Sequence, residues 1–180
     1  MNDYELTPTH ENDIGMMSRI HAESFDDAWT GPMIRRILSM PGSAGLVARA
    51  GRRWSIAGFT ILRTVADECE ILSLAVGSEH RDRGVGALLL DGAIVRARAL
   101  GANKLFLEVA EDNEIARRLY NSRGLLPVGR RPGYYPKKDG TSAAAVTMSR
   151  PLEEAVGASA KGSDARRQGV ALLDSRGGSR

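Results

Sequence analysis

The chain has 180 residues, 42% of them hydrophobic and 26% charged, which is typical of a soluble protein with one domain and its own core. Its 25 basic residues are nearly balanced by 22 acidic ones and are scattered along the chain, and only 5% of residues are aromatic. This pattern argues against a nucleic-acid-binding protein, in which basic residues cluster on one face. No apolar run approaches the ~20 residues of a membrane span, and the polar N-terminus does not resemble a secretory signal.

The chain contains a single cysteine, Cys69, so it cannot form an internal disulfide. Together with the missing signal, this predicts a reduced, cytoplasmic protein. The three histidines, His10, His21 and His80, show no metal-ligand spacing with Cys69, and we expect no metal site. We expect no membrane partner and no direct nucleic-acid partner, and a monomer or weak homodimer in solution.

Hydrophobic periodicity and turn residues predict the secondary structure in chain order. Thr30 and Asn113 are candidate helix N-caps, and Gly101 and Gly124 are placed to end helices. The predicted elements are a strand over 3–8, helices over 10–28 and 30–40, strands over 44–50, 54–65 and 68–76, a helix over 85–100, a strand over 104–109, a helix over 113–121, and strands over 125–129 and 142–149. Residues 130–140 are predicted to form a turn-rich excursion between the last two strands. This order predicts a mixed α/β sheet with helices on both faces.

The composition changes beyond Pro151, where Gly, Ser, Ala and Arg dominate and no aromatic residue occurs. We therefore expect a domain over residues 1–152, followed by a disordered or weakly helical tail over 153–180.

The most informative segment is the turn between the strand that ends at Val76 and the helix that follows it. Gly84 and Gly86 lie where that helix begins, and Arg81 precedes them. The first N–H groups of a helix lack intrahelical partners, and the helix dipole adds partial positive charge there. Glycines let an anion approach the backbone closely, so this turn predicts a site for a phosphate-bearing cofactor.

Three spaced features of the sequence resemble the GNAT superfamily of acetyl-CoA-dependent N-acetyltransferases. Arg81, Gly84 and Gly86 match that family's Arg/Gln-x-x-Gly-x-Gly/Ala motif, and Glu108 and the segment 113–120 follow in family order. Within the superfamily, the chain is most similar to the bacterial ribosomal-protein-alanine N-acetyltransferases over about residues 4–152. The shared segments are His21-Ala22-Glu23-Ser24-Phe25 with Trp29, Leu107-Glu108-Val109, Asn113, Leu119-Tyr120, Tyr134-Tyr135-Pro136 and Asp139-Gly140.

This resemblance implies the GNAT fold, a central and mostly antiparallel mixed sheet of about seven strands flanked by about four helices. It implies acetyl-CoA as co-substrate, with backbone groups of the strand end bonding the pantetheine arm and the turn binding the pyrophosphate. The implied cofactor-binding residues are Leu74, Ala75, Val76, Arg81, Asp82, Arg83, Gly84, Val85, Gly86, Ala87 and Asn113.

The resemblance also implies two catalytic residues. Glu108 would be the general base that takes a proton from the acceptor amine, through a water, and Tyr120 would protonate the departing thiolate. Other interpretations remain open: Glu108 can pair with Arg117 or Arg131, Tyr120 can be a core aromatic, and Asn113 can serve only as a helix cap.

The expected activity is direct transfer of an acetyl group to the N-terminal α-amino group of a protein, with an N-terminal alanine of a ribosomal protein as the expected acceptor. Acetylation of a lysine side chain or a small amine is the alternative activity. A non-catalytic acyl-CoA-binding sensor is the alternative outside enzymology.

Overall fold

A computed structural model describes residues 4–51, 55–136 and 142–152, which form seven strands and four α-helices. The strands are β1 (Tyr4–Pro8), β2 (Ser43–Ala50), β3 (Ser55–Val65), β4 (Glu68–Val76), β5 (Lys104–Ala110), β6 (Leu126–Pro136) and β7 (Ser142–Pro151). The helices are α1 (Ile14–Ser24), α2 (Gly31–Leu38), α3 (Val85–Ala99) and α4 (Glu114–Ser122). The predicted tail lies outside the described residues.

The strands form one sheet in the order β1-β2-β3-β4-β5-β7-β6. The β4–β5 pair is parallel, and the other neighbouring pairs in the described sheet are antiparallel. Helix α3 makes the crossover that a parallel pair requires. The predicted fold class, a mostly antiparallel mixed sheet with helices on both faces, is therefore confirmed.

The two faces of the sheet are covered by different helices. Helices α3 and α4 pack on one face, around Leu90, Leu105, Leu107 and Tyr120. Helices α1 and α2 pack on the other face, where Met17 and the residues Ile34, Val47, Phe59 and Ile61 are fully buried. Glu108 alternates with Leu107 along β5, so it projects from the face of α1 and α2.

A bulge at Leu72 interrupts β4 just after its parallel pairing with β5 ends at Ile71. Ile71 is opposite Leu62 of β3, but Ser73 is opposite Ile61, so Leu72 is the extra residue on β4. As a result, Ile71 faces α3, whereas Ala75, four residues later, packs on the side of α1 and α2. A strictly alternating strand would have put both on one face.

The predicted helix over 10–28 is wrong at both ends. Residues Glu11–Asp13 form a single 3-10 turn, and α1 ends at Ser24. Phe25 has an extended backbone and is 40% exposed rather than part of a buried stripe. The chain leaves the helix there because Trp29 returns to donate its backbone N–H to Nδ1 of His21, at 3.1 Å.

The predicted turn-rich excursion over 130–140 is also wrong in its first part, because β6 continues to Pro136. Arg131 is opposite Ala145 and Tyr135 is opposite Ala143, so Pro132, Gly133 and Tyr134 together face the single residue 144. Gly133 supplies the positive φ of 65° that this wide bulge needs. An edge strand tolerates Pro and Gly in this way, which is why the residues resemble a turn.

No helix in the described part of the chain is long and apolar enough to cross a bilayer.

Candidate active site

The site is built around a fork between β4 and β5. Their parallel pairing ends at Ile71 and Leu107, although β4 continues to Val76 and β5 to Ala110. Beyond that point each strand keeps its partner on the outer side, β3 for β4 and β7 for β5. The two inner edges therefore carry backbone groups without a neighbouring strand, and an extended ligand can add to them as a strand does.

The predicted anion-binding turn lies at the far end of β4. Gly84 is the N-cap of α3 with a left-handed φ of 80°, and no side chain caps the helix there. Asp82 also has a positive φ, 58°, and both residues are exposed. The N–H groups of Val85, Gly86 and Ala87 are thus left to an external acceptor, as the sequence predicts.

Hydrogen bonds from Arg81 connect this turn to β4 and α1. Its Nε donates to the carbonyl oxygen of Val76 at 3.2 Å, and Nη2 donates to the Ser24 hydroxyl at 3.4 Å. The guanidinium remains exposed, as does Arg83. Arg81 therefore has a structural role at the end of β4, and its predicted phosphate contact remains a prediction.

Three predicted elements meet at Gly86. A Cβ on this residue would lie 3.2 Å from Cδ2 of Leu119 in α4 and 3.9 Å from Cγ2 of Val76 in β4. Helices α3 and α4 therefore approach each other beside the end of β4. The strand end and the glycine turn proposed from sequence are brought together beside α4, with the side chains of Leu74 and Val76 packed toward α3.

Helix α4 places Asn113 and Tyr120 on this side of the fork. Asn113 is the N-cap, and its Oδ1 accepts the Ala116 N–H at 3.1 Å. Tyr120 lies two turns further on and is 8% exposed, packed in the core cluster with Val109. The capping role of Asn113 and the core packing of Tyr120 are both present, and their contacts with ligands remain predictions.

Glu108 lies on the other arm of the fork and is partly buried, with 22% of its side chain exposed. Its Oε1 accepts a hydrogen bond from Nη1 of Arg131 in β6, at 3.1 Å. Of the two arginines considered from sequence, Arg131 is therefore the partner, whereas Arg117 donates to the backbone carbonyl of Glu111.

Glu70, a residue with no motif in the sequence to mark it, lies near Glu108. Glu70 is opposite Phe106 in the parallel pair, so it shares a sheet face with Glu108, two residues further along β5. Burial and, second, the charge of Glu108 raise the pKa of Glu70, while Arg63 acts in the opposite direction. The alternation of Glu70 with Cys69 and Ile71 in β4 indicates which sheet face it occupies. That Glu108 lies near it is evident only from the strand order.

His21 organises the loop between α1 and α2 on the same face. Its ring stacks on Trp29 with centroids 4.8 Å apart and contacts Phe25 at 4.4 Å. Burial lowers the pKa of His21, against a smaller opposite effect of Asp27. Because Nδ1 accepts the Trp29 N–H, the neutral ring is the form that holds this loop. In the described part of the chain, no three His, Cys, Asp or Glu side chains are grouped to hold a metal ion.

Residues 14–125 match the model of the acetyltransferase (GNAT) family. The chain belongs to the GNAT family. The [ribosomal protein bS18]-alanine N-acetyltransferase of Haemophilus ducreyi is 34% identical over 113 residues, which are 63% of this chain and 78% of that protein.

Two crystal structures share the architecture of this GNAT chain. The ribosomal-protein-S18-alanine N-acetyltransferase from Escherichia coli superposes with a TM-score of 0.76 at 23% identity, over 88% of this chain and 99% of that one. Ard1 from Thermoplasma volcanium gives a TM-score of 0.75 at 27% identity, over 84% of this chain and 99% of that one. The family match makes this protein a GNAT acetyltransferase, with acetyl-CoA as its co-substrate.

The residues present fit that co-substrate. The uncapped first turn of α3 offers N–H groups to a diphosphate, and the unpaired inner edge of β4 offers donors and acceptors to an amide-bearing arm. The unpaired edge of β4 and the start of α3 follow one another, so a single extended ligand can contact both.

Proposed function

We propose that this protein acetylates the N-terminal α-amino group of a protein, with an N-terminal alanine of a ribosomal protein as acceptor. The observation that carries the proposal is the fork. One arm ends at the uncapped start of α3, and the other presents Glu108 on the face of α1 and α2. The names of the relatives point to the same acceptor class.

Donor binding is assigned to the β4 arm. Backbone groups of Leu74, Ala75 and Val76 would bond the pantetheine arm, the turn from Arg81 to Ala87 would bind the diphosphate, and Asn113 would contact the donor from the start of α4. When bound, acetyl-CoA supplies an activated acetyl group as a thioester. The chain's part is to aim that group at the space between the two arms.

Proton movement is assigned to Glu108 and Tyr120. An α-amino group has a pKa of about 8 and is mostly protonated near neutral pH, so it must lose a proton before nitrogen can attack the thioester carbon. Glu108 accepts this proton, through a water. As the carbon–sulfur bond breaks, the Tyr120 hydroxyl donates its proton to the thiolate. After the attack the nitrogen still carries a surplus proton, which it returns to the Tyr120 phenolate through solvent. The products are an amide, free coenzyme A and one proton, which Glu108 releases to solvent.

The proposal is tested with three acceptors and acetyl-CoA. These are a peptide beginning with alanine, the same peptide N-terminally blocked and carrying one lysine, and a small polyamine. Acetylation of the first at far higher kcat/KM supports the proposal. Preference for the blocked peptide or the polyamine would assign the site to the alternative amine acceptors.

The residue assignments are tested with Glu108→Gln and Tyr120→Phe. Each should lower kcat by about 100-fold, the usual contribution of a positioned acid or base, and leave the KM for acetyl-CoA near its original value. Glu114→Gln is the matched control, because this exposed carboxylate at the start of α4 pairs with Arg118 four residues along the same helix. Full turnover in both test variants would reject the acid–base roles.

A further inference from the structure

The guanidinium of Arg131, in the edge strand β6, contacts two side chains. Its Nη1 donates to Oε1 of Glu108 at 3.1 Å, and its guanidinium carbon lies 4.1 Å from the centroid of the Tyr134 ring. The wide bulge at Pro132–Tyr134 makes this second contact possible, because it brings a residue three positions along the strand back over the arginine. These two contacts orient the guanidinium, although 58% of the Arg131 side chain is exposed.

The hydrogen bond to Glu108 uses only one carboxylate oxygen. Among the described residues, no other side chain hydrogen-bonds this carboxylate, so Oε2 has no such partner there. A base needs one fixed oxygen and one available oxygen, the first to set the rotamer and the second to receive the proton. The arrangement at Glu108 supplies both.

The local charges explain why an arginine is required. Glu70 shares the sheet face of Glu108, and the two like charges repel. Without a nearby cation, Glu108 would turn away from Glu70 into one of its other rotamers. Arg63 is the cation that acts on Glu70, and Arg131 is the cation that bonds Glu108.

We propose that Arg131 is a positioning residue for acetyl transfer: stacked on Tyr134, it holds Oε1 of Glu108 and leaves Oε2 to accept the acceptor's proton. This inference rests on the proposed role of Glu108 as the base. It gives Arg131 of β6 an influence on catalysis, since its hydrogen bond sets the direction of a base carried on β5.

The test compares Arg131→Ala with Arg130→Ala. The neighbouring Arg130 is a matched control, because it is exposed and pairs in bidentate fashion with Glu111 at 2.7 Å for both bonds. Arg131→Ala should lower kcat about tenfold without changing the KM for acetyl-CoA, and Arg130→Ala should leave kcat unchanged. Equal kcat for Arg131→Ala and the parent protein would overturn the proposal.

Two further measurements separate positioning from a structural effect. Methylguanidinium added to the Arg131→Ala variant should restore part of the lost kcat and should not affect the parent protein. In a Glu108→Gln background, Arg131→Ala should cause no further loss, because there is no base left to position. The absence of rescue, or a further tenfold loss in that background, would contradict the proposal.

Failure of the proposed function gives a different pattern. If Glu108→Gln alone keeps full turnover, then the base has been assigned wrongly, whatever Arg131 does. If Glu108→Gln is inactive and Arg131→Ala is fully active, the base is correct and the positioning role is wrong.

Discussion

The Nε atom of Arg81 donates to the carbonyl oxygen of Val76, the last residue of β4. Arg81, the first residue of the glycine motif, therefore also bonds the turn to the end of β4. This cation bonds the end of β4 and lies beside the uncapped start of α3, where an incoming diphosphate would bind.

Arg81→Ala should raise the KM for acetyl-CoA about tenfold and change kcat much less. A charge-assisted hydrogen bond contributes about 1.5–3 kcal/mol, and the substitution removes charge from both the turn and the predicted phosphate contact. Steady-state kinetics with varied acetyl-CoA gives the result. Arg96→Ala, at an exposed arginine later in α3, serves as control, and an equal effect of both substitutions would reduce the role of Arg81 to general surface charge.

Two glycines should respond in opposite directions to alanine. A Cβ at Gly58 would lie 2.7 Å from the carbonyl oxygen of Ala75, a backbone atom, so Gly58→Ala should destabilise the fold by about 1–3 kcal/mol. Gly15 lies in α1, and a methyl group added to it would meet no atom within 4 Å, so Gly15→Ala should stabilise the protein by about 0.5–1 kcal/mol. Urea unfolding of both variants measures the difference. Similar stabilities would show that β3 and β4 have room to separate.

Glu70→Gln should stabilise the protein at neutral pH. Because the folded-state pKa of Glu70 is raised, the folded protein binds this proton more tightly than the unfolded chain. The cost of burying the charge is therefore greatest above the folded pKa and disappears below the unfolded value near 4.5. Thermal unfolding of the variant and parent at pH 7.5 and pH 4.5 should show a gap in Tm that narrows on acidification, and a constant gap would contradict this account.

His21→Phe should destabilise the protein at pH 7.5 by about 1 kcal/mol, the net value of one buried hydrogen bond. The phenyl ring can still stack on Trp29 but offers no acceptor to its N–H. Since the folded pKa of His21 is lowered, the histidine contributes its full stability above the unfolded value of 6.5 and loses it as the pH falls through the folded pKa. The difference between the two proteins should shrink from pH 7.5 to pH 5, as measured by denaturant unfolding. A difference that grows on acidification would mean that the charged ring is the stabilising form.

Local signals in the sequence were sufficient for the elements that depend on local physics. Thr30 caps α2, Asn113 caps α4, and Gly101 and Gly124 follow α3 and α4 with positive φ. The strand β4 has the predicted bounds, Glu68 to Val76, because hydrophobic alternation and flanking turn residues agree there.

The sequence could not reveal features that depend on which strands are neighbours. The proximity of Glu70 to Glu108 depends on the strand order, since the two carboxylates are 38 positions apart in the chain. The choice of Arg131 over Arg117 as the partner of Glu108 requires the path of β6, which Pro132 and Gly133 concealed. Phe25 was misplaced because helical spacing alone does not show that Trp29 returns to His21.

The bulge at Leu72 reverses the alternation of side chains along β4, so odd-numbered residues before and after it face opposite sides of the sheet. Deleting any one residue between positions 71 and 75 would restore a uniform alternation, and it would send Ala75 into the layer of α3 and a bulkier neighbour against α1. Strand β4 should therefore tolerate apolar exchanges at position 72, which packs against the cluster of α1 and α2, better than any change in its length. In a library of variants of this protein, single-codon deletions over this stretch should be lost where Leu72→Ile and Leu72→Met survive.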